Sequence, residues 1–223
     1  MKNKTPGILD DQSHDATRRQ LLEAAGEVFA EVGFRNATVR EICQRAGANV
    51  AAINYHFGDK EALYVEVLRY AHGKALEKYP LLLDVGEDAP PEKKLYGFVH
   101  SLLLRIFEKG PTSWHGRLMS REMIEPTAAL DSLIEERIRP MSSVLWKIIG
   151  EILDCPPTDE RVLHCAFSVV SQCVFYNHCR PAVGKLFPNL LPQDPVGIEV
   201  LARHITNFSL AAMKVFARTK NNC

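Results

Sequence analysis

The stretch TVREICQRAGANVAAINYHFGDK, residues 38–60, lays out two short helices, the turn between them and the start of a third. Thr38 opens a capping box: its hydroxyl is placed to accept from the Glu41 amide while the Glu41 carboxylate reaches back to the Thr38 amide, which starts a helix. Val39, Ile42, Cys43 and Ala46 then recur at helical spacing, and Gly47 is free to take the left-handed conformation that ends the helix. Asn49 is a good cap for a second helix, 50–57, on which Ile53 and Phe57 share the face that must be buried against the first. Ala51, Ala52, Asn54, Tyr55 and His56 then point elsewhere, and small or polar residues on such a face can enter a groove. Gly58 and Asp59 break and recap the chain, leaving Lys60 in the first turn of the next helix. A cation there opposes the helix dipole, so it is expected to want an anion, and a nucleic-acid phosphate is one. The competing reading is a tight helical hairpin inside a core, since this geometry also occurs without DNA.

Beyond the hairpin the chain resembles the TetR-type transcriptional regulators. Upstream, TRRQLLEAAGEVFAEVGFRNATV (17–39) looks like that family's first helix and its glycine turn, with Phe29, Gly33 and Phe34 in place; downstream, HFGDKEALYVEVL (56–68) resembles the entry into its long connecting helix. Several linked motifs in the right order are more specific than any one of them. The later string GRLMSREMIEPTAALDSLIEE (116–136), followed by IRPM and QCVFYNHCRP, further resembles the C-terminal domain of a CecR-like subgroup. The resemblance implies an all-α chain: a polar arm over 1–14, a three-helix helix-turn-helix domain over 15–60, and a larger effector-binding and dimerisation domain over 61–223. By matching positions, Thr38, Tyr55, His56 and Lys60 are expected to hold phosphates, while Val50, Ala51, Ala52 and Asn54 approach base edges. Arg40 and Asn49 complete the expected DNA contacts.

Composition is ordinary globular usage, 46% hydrophobic and 24% charged over 223 residues. No run approaches the roughly 20 apolar residues of a membrane span. The first fifteen residues, MKNKTPGILDDQSHD, lack an apolar signal core and read as a disordered polar arm, so no membrane partner and a cytoplasmic location are expected. Net charge fits DNA binding least well, because Lys plus Arg and Asp plus Glu each total 27, and residues 1–75 hold ten of each. The distribution helps: Arg35, Arg40, Arg45 and Lys60 surround the hairpin against only Glu41 and Asp59. Affinity per subunit is expected to be modest, with dimerisation supplying the rest.

After Lys60 the periodicity predicts helices over 61–79, 92–108, 113–124, 127–154 with Pro140 kinking or breaking it, and 158–179. A loop carrying Pro181, Pro188, Pro192 and Pro195 should lead to a last helix over 196–218. Val162, Ala166, Val169, Cys173 and Tyr176 recur at spacings of four and three, as do Leu201, Ile205, Phe208, Ala212 and Val215. Such seams suit either an internal core or a four-helix bundle between two subunits, and the family resemblance implies the homodimer.

The six cysteines form no C-x-x-C pair, and no metal is expected, since His178 and Cys179 face different ways on a helix with no spaced fourth ligand. Motifs for zinc hydrolysis, a nucleophile elbow, a P-loop or a dinucleotide turn are absent, so neither an enzyme nor a cofactor is expected. His115, Arg117, Arg121 and Glu122 crowd one helix and read as a solvated face or a ligand-pocket lining. A helical adaptor that binds only protein would fit the C-terminal half but leave residues 38–60 unexplained. For the small-molecule effector, Trp114, Met119, Met123, Phe175 and Tyr176 suggest an apolar or aromatic lining, with Arg105, Gln172 or His178 as polar anchors.

Overall fold

Helix is the only regular structure among the residues described by the computed structural model, 8–83, 85–108 and 114–219. In order these are α1 (Ile8–Asn36), α2 (Val39–Ala46), α3 (Val50–His56), α4 (Lys60–Lys78), α5 (Pro91–Phe107), α6 (Trp114–Ile124), α7 (Ala129–Leu133), α8 (Arg139–Leu153), α9 (Glu160–His178), α10 (Arg180–Leu186) and α11 (Pro195–Thr219). None is long and apolar enough to cross a membrane. Two compact units emerge, one from residues 1–74 with 117–133, the other from 75–116 with 134–223.

In the first unit, Leu21, Ala25, Val28 and Phe29 form the fully buried stripe of α1. Full burial of a side chain such as Phe29 stabilises by about 1.5–3 kcal/mol. Phe29 meets Tyr64 of α4 edge-on at 4.8 Å between ring centroids, and Phe34 lies 4.9 Å from the same ring. Gly33 turns the chain out of α1 with φ of 82°. That positive φ strains any residue with a Cβ, which is why glycine suits this turn; the nearest group to such a Cβ would be the flexible end of Arg121. The arm expected over 1–14 is helical from Ile8 onward: neither glycine nor proline occurs between Ile8 and Ala25 to stop α1 from extending. Residues 1–7 lie outside the described residues.

The core of the second unit is built by α5, α8, α9 and α11, through Leu95, Phe98, Leu103, Leu145, Ile149, Val169 and Ile205 among others. Here the subunit-interface expectation needs correction. Val162, Ala166, Val169 and Cys173 of α9, with Leu201 and Ile205 of α11, are buried inside this single chain. A three-four apolar repeat has the same appearance whether its partner helix is in the same chain or in another, and α5 and α8 are the partners here. On α11 the buried line continues through Ala202, Ser209 and Met213, so Phe208, Ala212 and Val215 fall on the exposed side. With Val200 on α11 and with Phe167 and Phe175 on α9, they leave large apolar side chains in solvent, Phe167 at 68% and Phe208 at 61% exposure.

Two prolines act otherwise than the periodicity suggests. Pro140 neither breaks the helix nor leaves it regular. It stands in the first turn of α8, after a π-helical turn, Ile134–Ile138, and the wider turn accommodates a residue that has no N–H and crowds the carbonyl four residues back. Pro181 lies in the first turn of α10, where its missing N–H is not needed, so part of the expected proline-rich loop is helical.

Candidate functional site

Local hydrogen bonds shape the segment 38–60 in the first unit. The Glu41 amide donates to Thr38 Oγ1 at 3.1 Å, while the Glu41 carboxylate accepts from Arg45 at 3.1 Å, so among the described contacts the capping box is seen in one direction. Gly47 is left-handed, φ 64° and ψ 27°, and the Ala48 amide donates back to the Cys43 carbonyl at 2.9 Å, closing α2. Asn49 Oδ1 accepts from the Ala51 amide at 3.1 Å and caps α3; Asp59 Oδ1 accepts from the Ala62 amide at 2.7 Å and caps α4.

With Ile53 fully buried as its anchor, α3 turns Val50, Ala51, Asn54 and Tyr55 outward, Tyr55 at 71% exposure, with Ala52 half-buried beside them. Thr38, Arg40 and Asn49 are exposed on the same segment. His56 is half-buried, its ring 5.0 Å from that of His14 and 5.1 Å from that of Tyr55. Burial, then the neighbouring His14 and Arg18, hold its imidazole below the ordinary value, which favours the neutral form.

Two cations differ from the expectation. Lys60 is not a bare charge awaiting an anion: its ammonium donates to the carbonyls of Phe34 at 3.0 Å and Ala37 at 3.1 Å and lies 4.6 Å from the centre of the Phe34 ring. It ties the start of α4 to the Gly33 turn, and among the described contacts one of its three N–H bonds has no acceptor. Arg45 is neutralised by Glu31 at 2.7 Å and Glu41 at 3.1 Å, which leaves Arg35 and Arg40 as the exposed guanidinium groups near the hairpin.

The residues expected to line an effector pocket are divided between the two units. Met119 and Met123 belong to the first unit and Met123 is 47% exposed; Phe175 and His178 are exposed on α9. Gln172 is spent on the Ser168 carbonyl and on Ser209 Oγ, which ties α9 to α11, and Tyr176 packs at the edge of the core. An amphipathic α9 has two apolar faces, and spacing alone does not say which one lines a cavity. Trp114 and Arg105, by contrast, are both buried in the second unit, at 3% and 4% exposure. Arg105 Nε donates to the Ser101 carbonyl at 3.3 Å and Nη1 contacts Met141 Sδ at 3.7 Å. Burial draws this guanidinium down to about 10, still charged at neutral pH.

The polar group on α6 divides: Arg117 is exposed and Arg121 half-buried, whereas Glu122 and His115 are buried. Glu122 is fully buried in the first unit, accepting from Tyr64 Oη at 2.7 Å and from the Thr127 amide and hydroxyl at 2.8 and 3.0 Å. Burial and this bond push the Tyr64 phenol well above its ordinary range. His115 is buried in the second unit, where burial and the Arg105 charge lower its pKa from 6.5 to about 4. Between those values the unfolded chain takes up a proton that the folded chain refuses, so stability is full above about pH 6.5 and declines as pH falls towards about 4. The loss approaches about 3 kcal/mol at about 1.4 kcal/mol per pH unit. Urea midpoints measured from pH 7 to pH 4 should fall accordingly, and His115→Phe should flatten that dependence.

Five cysteines, Cys43, Cys155, Cys165, Cys173 and Cys179, are free thiols, and no cluster of three His, Cys, Asp or Glu side chains among the described residues could hold a metal. Burial pushes the Cys173 thiol up to about 12, so it is inert at neutral pH.

Residues 21–67 match the model of bacterial regulatory proteins of the tetR family, and residues 91–213 match the C-terminal domain of the HTH-type transcriptional dual regulator CecR. The chain is 28% identical over 186 residues to CecR of Shigella flexneri, covering 79% of this chain and 80% of that protein. It is 24% identical over 187 residues to the HTH-type transcriptional repressor NicS of Pseudomonas putida, covering 81% and 84%. Among solved structures, the TetR family transcriptional regulator PfmR of Thermus thermophilus superposes with a TM-score of 0.62 over 86% of this chain and 95% of that one, at 21% identity.

Proposed function

The chain belongs to the TetR family of bacterial regulatory proteins and carries a CecR-type C-terminal domain, and from that premise we propose that it is a cytoplasmic repressor that binds palindromic operator DNA as a homodimer and leaves it when a small-molecule effector binds. It is a transcriptional regulator, and no catalytic step is assigned to it. Functionally the division we propose is a DNA-reading head over 15–60 and an effector and dimerisation part over 61–223.

The observation that carries the reading is the exposed face of α3, small at Val50, Ala51 and Ala52 and polar at Asn54, on a helix held by Ile53 beneath. Asn54 is the one side chain on that face able to pair bidentately with adenine. Thr38, Arg40, Tyr55, His56 and the remaining donor of Lys60 would hold phosphates. One such head, nearly neutral overall, covers too little DNA for specific binding at cellular salt, so two heads on two half-sites are required. The second copy would cover the exposed apolar side of α9 and α11, with Phe167, Phe175, Val200, Phe208, Ala212 and Val215, rather than the buried seam. In the release step an effector in the second unit would displace the first turn of α6. The rest of α6 holds Tyr64 through Glu122 and presses Arg121 on the Gly33 turn, so the head would be reoriented.

Fluorescence anisotropy on a cognate duplex tests this. Arg40→Ala should weaken binding to every sequence and reduce the salt slope by about one unit. Asn54→Ala should cost about 1–3 kcal/mol and relax preference at one base position per half-site. Wild-type affinity and selectivity in both variants would remove α3 and its flank from the DNA interface.

A further inference from the structure

Arg105 is a positive charge inside the second unit, and among the described residues no carboxylate pairs with it. It is 4% exposed, its Nε and Nη1 have only a backbone carbonyl at 3.3 Å and a thioether at 3.7 Å, and Nη2 has no hydrogen-bond partner among the described residues. A buried ion is retained in a fold at a substantial cost in desolvation unless something pairs with it. Among the described residues, Cys173 and Met141 flank it, and His115, close enough to feel its charge, is neutral at neutral pH. The start of α6 lies directly against this part of α5, since a Cβ at Gly116 would stand 3.2 Å from the Ile106 carbonyl oxygen and 3.7 Å from that of Arg105.

We propose that Arg105 anchors the effector, and that the effector is a small apolar molecule carrying a single carboxylate. The guanidinium edge, with Nη2 uncommitted and Nη1 holding only a weak sulfur acceptor, matches the two oxygens of a carboxylate. One buried cation neutralises one negative charge. A phosphate ester or a diphosphate would bring more charge than Arg105 can balance, and a neutral ligand would leave the guanidinium as uncompensated as before. The placement also couples the site to the regulator reading on which it rests, because a ligand seated on Arg105 is next to the first turn of α6.

The test uses the full-length protein with octanoate, 3-phenylpropionate and benzoate as probes, each beside its primary amide as a neutral isostere. Thermal melts and calorimetric titration should show binding of at least one carboxylate on the order of tenfold to a hundredfold tighter than its amide. Arg105→Met, close in length but uncharged, should melt at or above the temperature of the ligand-free wild type and lose the preference for the acid. Equal binding of acids and amides, no binding of any acid, or an Arg105→Met variant that keeps the preference would each overturn the assignment; a variant that fails to fold is replaced by Arg105→Gln in the same titration. Operator release is scored separately. Acids that bind through Arg105 without releasing DNA would overturn the regulatory reading and leave the anion site standing. Release by neutral compounds alone would do the reverse.

Discussion

Val169→Asp should abolish folding, and Ala212→Glu should not. Val169 is fully buried among α5, α8, α9 and α11, and a carboxylate placed there has no partner. Burying an unpaired ionised group costs several kcal/mol even after the group shifts its pKa, against a total stability of about 5–15 kcal/mol for a domain. Circular dichroism should therefore show loss of the cooperative melt. Ala212 is exposed, on the side of α11 that carries Phe208 and Val215. A glutamate there should leave the helical signal and melting cooperativity intact while lowering the sedimenting mass from two chains to one. A folded Val169→Asp variant would mean that α9 is not core; a dimeric Ala212→Glu variant would move the subunit interface elsewhere.

Glu122→Ala should be the most damaging single change in the first unit outside its hydrophobic core. The truncation leaves the Tyr64 hydroxyl without its acceptor in a residue 2% exposed, and it strips the Thr127 amide and hydroxyl of theirs. Each buried group left unsatisfied costs about 1–3 kcal/mol, so a loss of about 2–4 kcal/mol is expected, with Thr127, half-buried, partly rescued by water. Glu122→Gln keeps an acceptor and should lose less. Denaturant titration of the two variants measures the difference. If both behave as wild type, α6 is not held to α4 through this bond.

The segment 38–60 was legible because its signals are local. Thr38, Gly47, Asn49 and Asp59 each act within three residues or so, and all four cap or terminate a helix as their types suggest. What stayed hidden depends on residues distant in the chain. The carbonyls that hold Lys60 lie 26 and 23 positions away, and of the groups that hold Glu122 only Thr127 is local, the Tyr64 hydroxyl lying 58 positions away, so no window around Lys60 contains its partners and none around α6 contains Tyr64. The repeat on α9 faces the core of its own chain, the one on α11 divides between the core and the exposed side, and periodicity does not record which chain supplies the opposing helix. Arg105 was recognisable as a polar residue on an apolar helix; that it is buried with an unmet donor required the packing of α5.

Selection from a pool of randomised duplexes, followed by sequencing of what the full-length protein retains, tests the central claim most directly. The proposed dimer, with its two α3 helices, predicts an enriched inverted repeat with half-sites about one helical turn apart centre to centre. Asn54→Ala should blur one position in each half. Enrichment of a single unrepeated half-site, or of no sequence at all, would contradict the account.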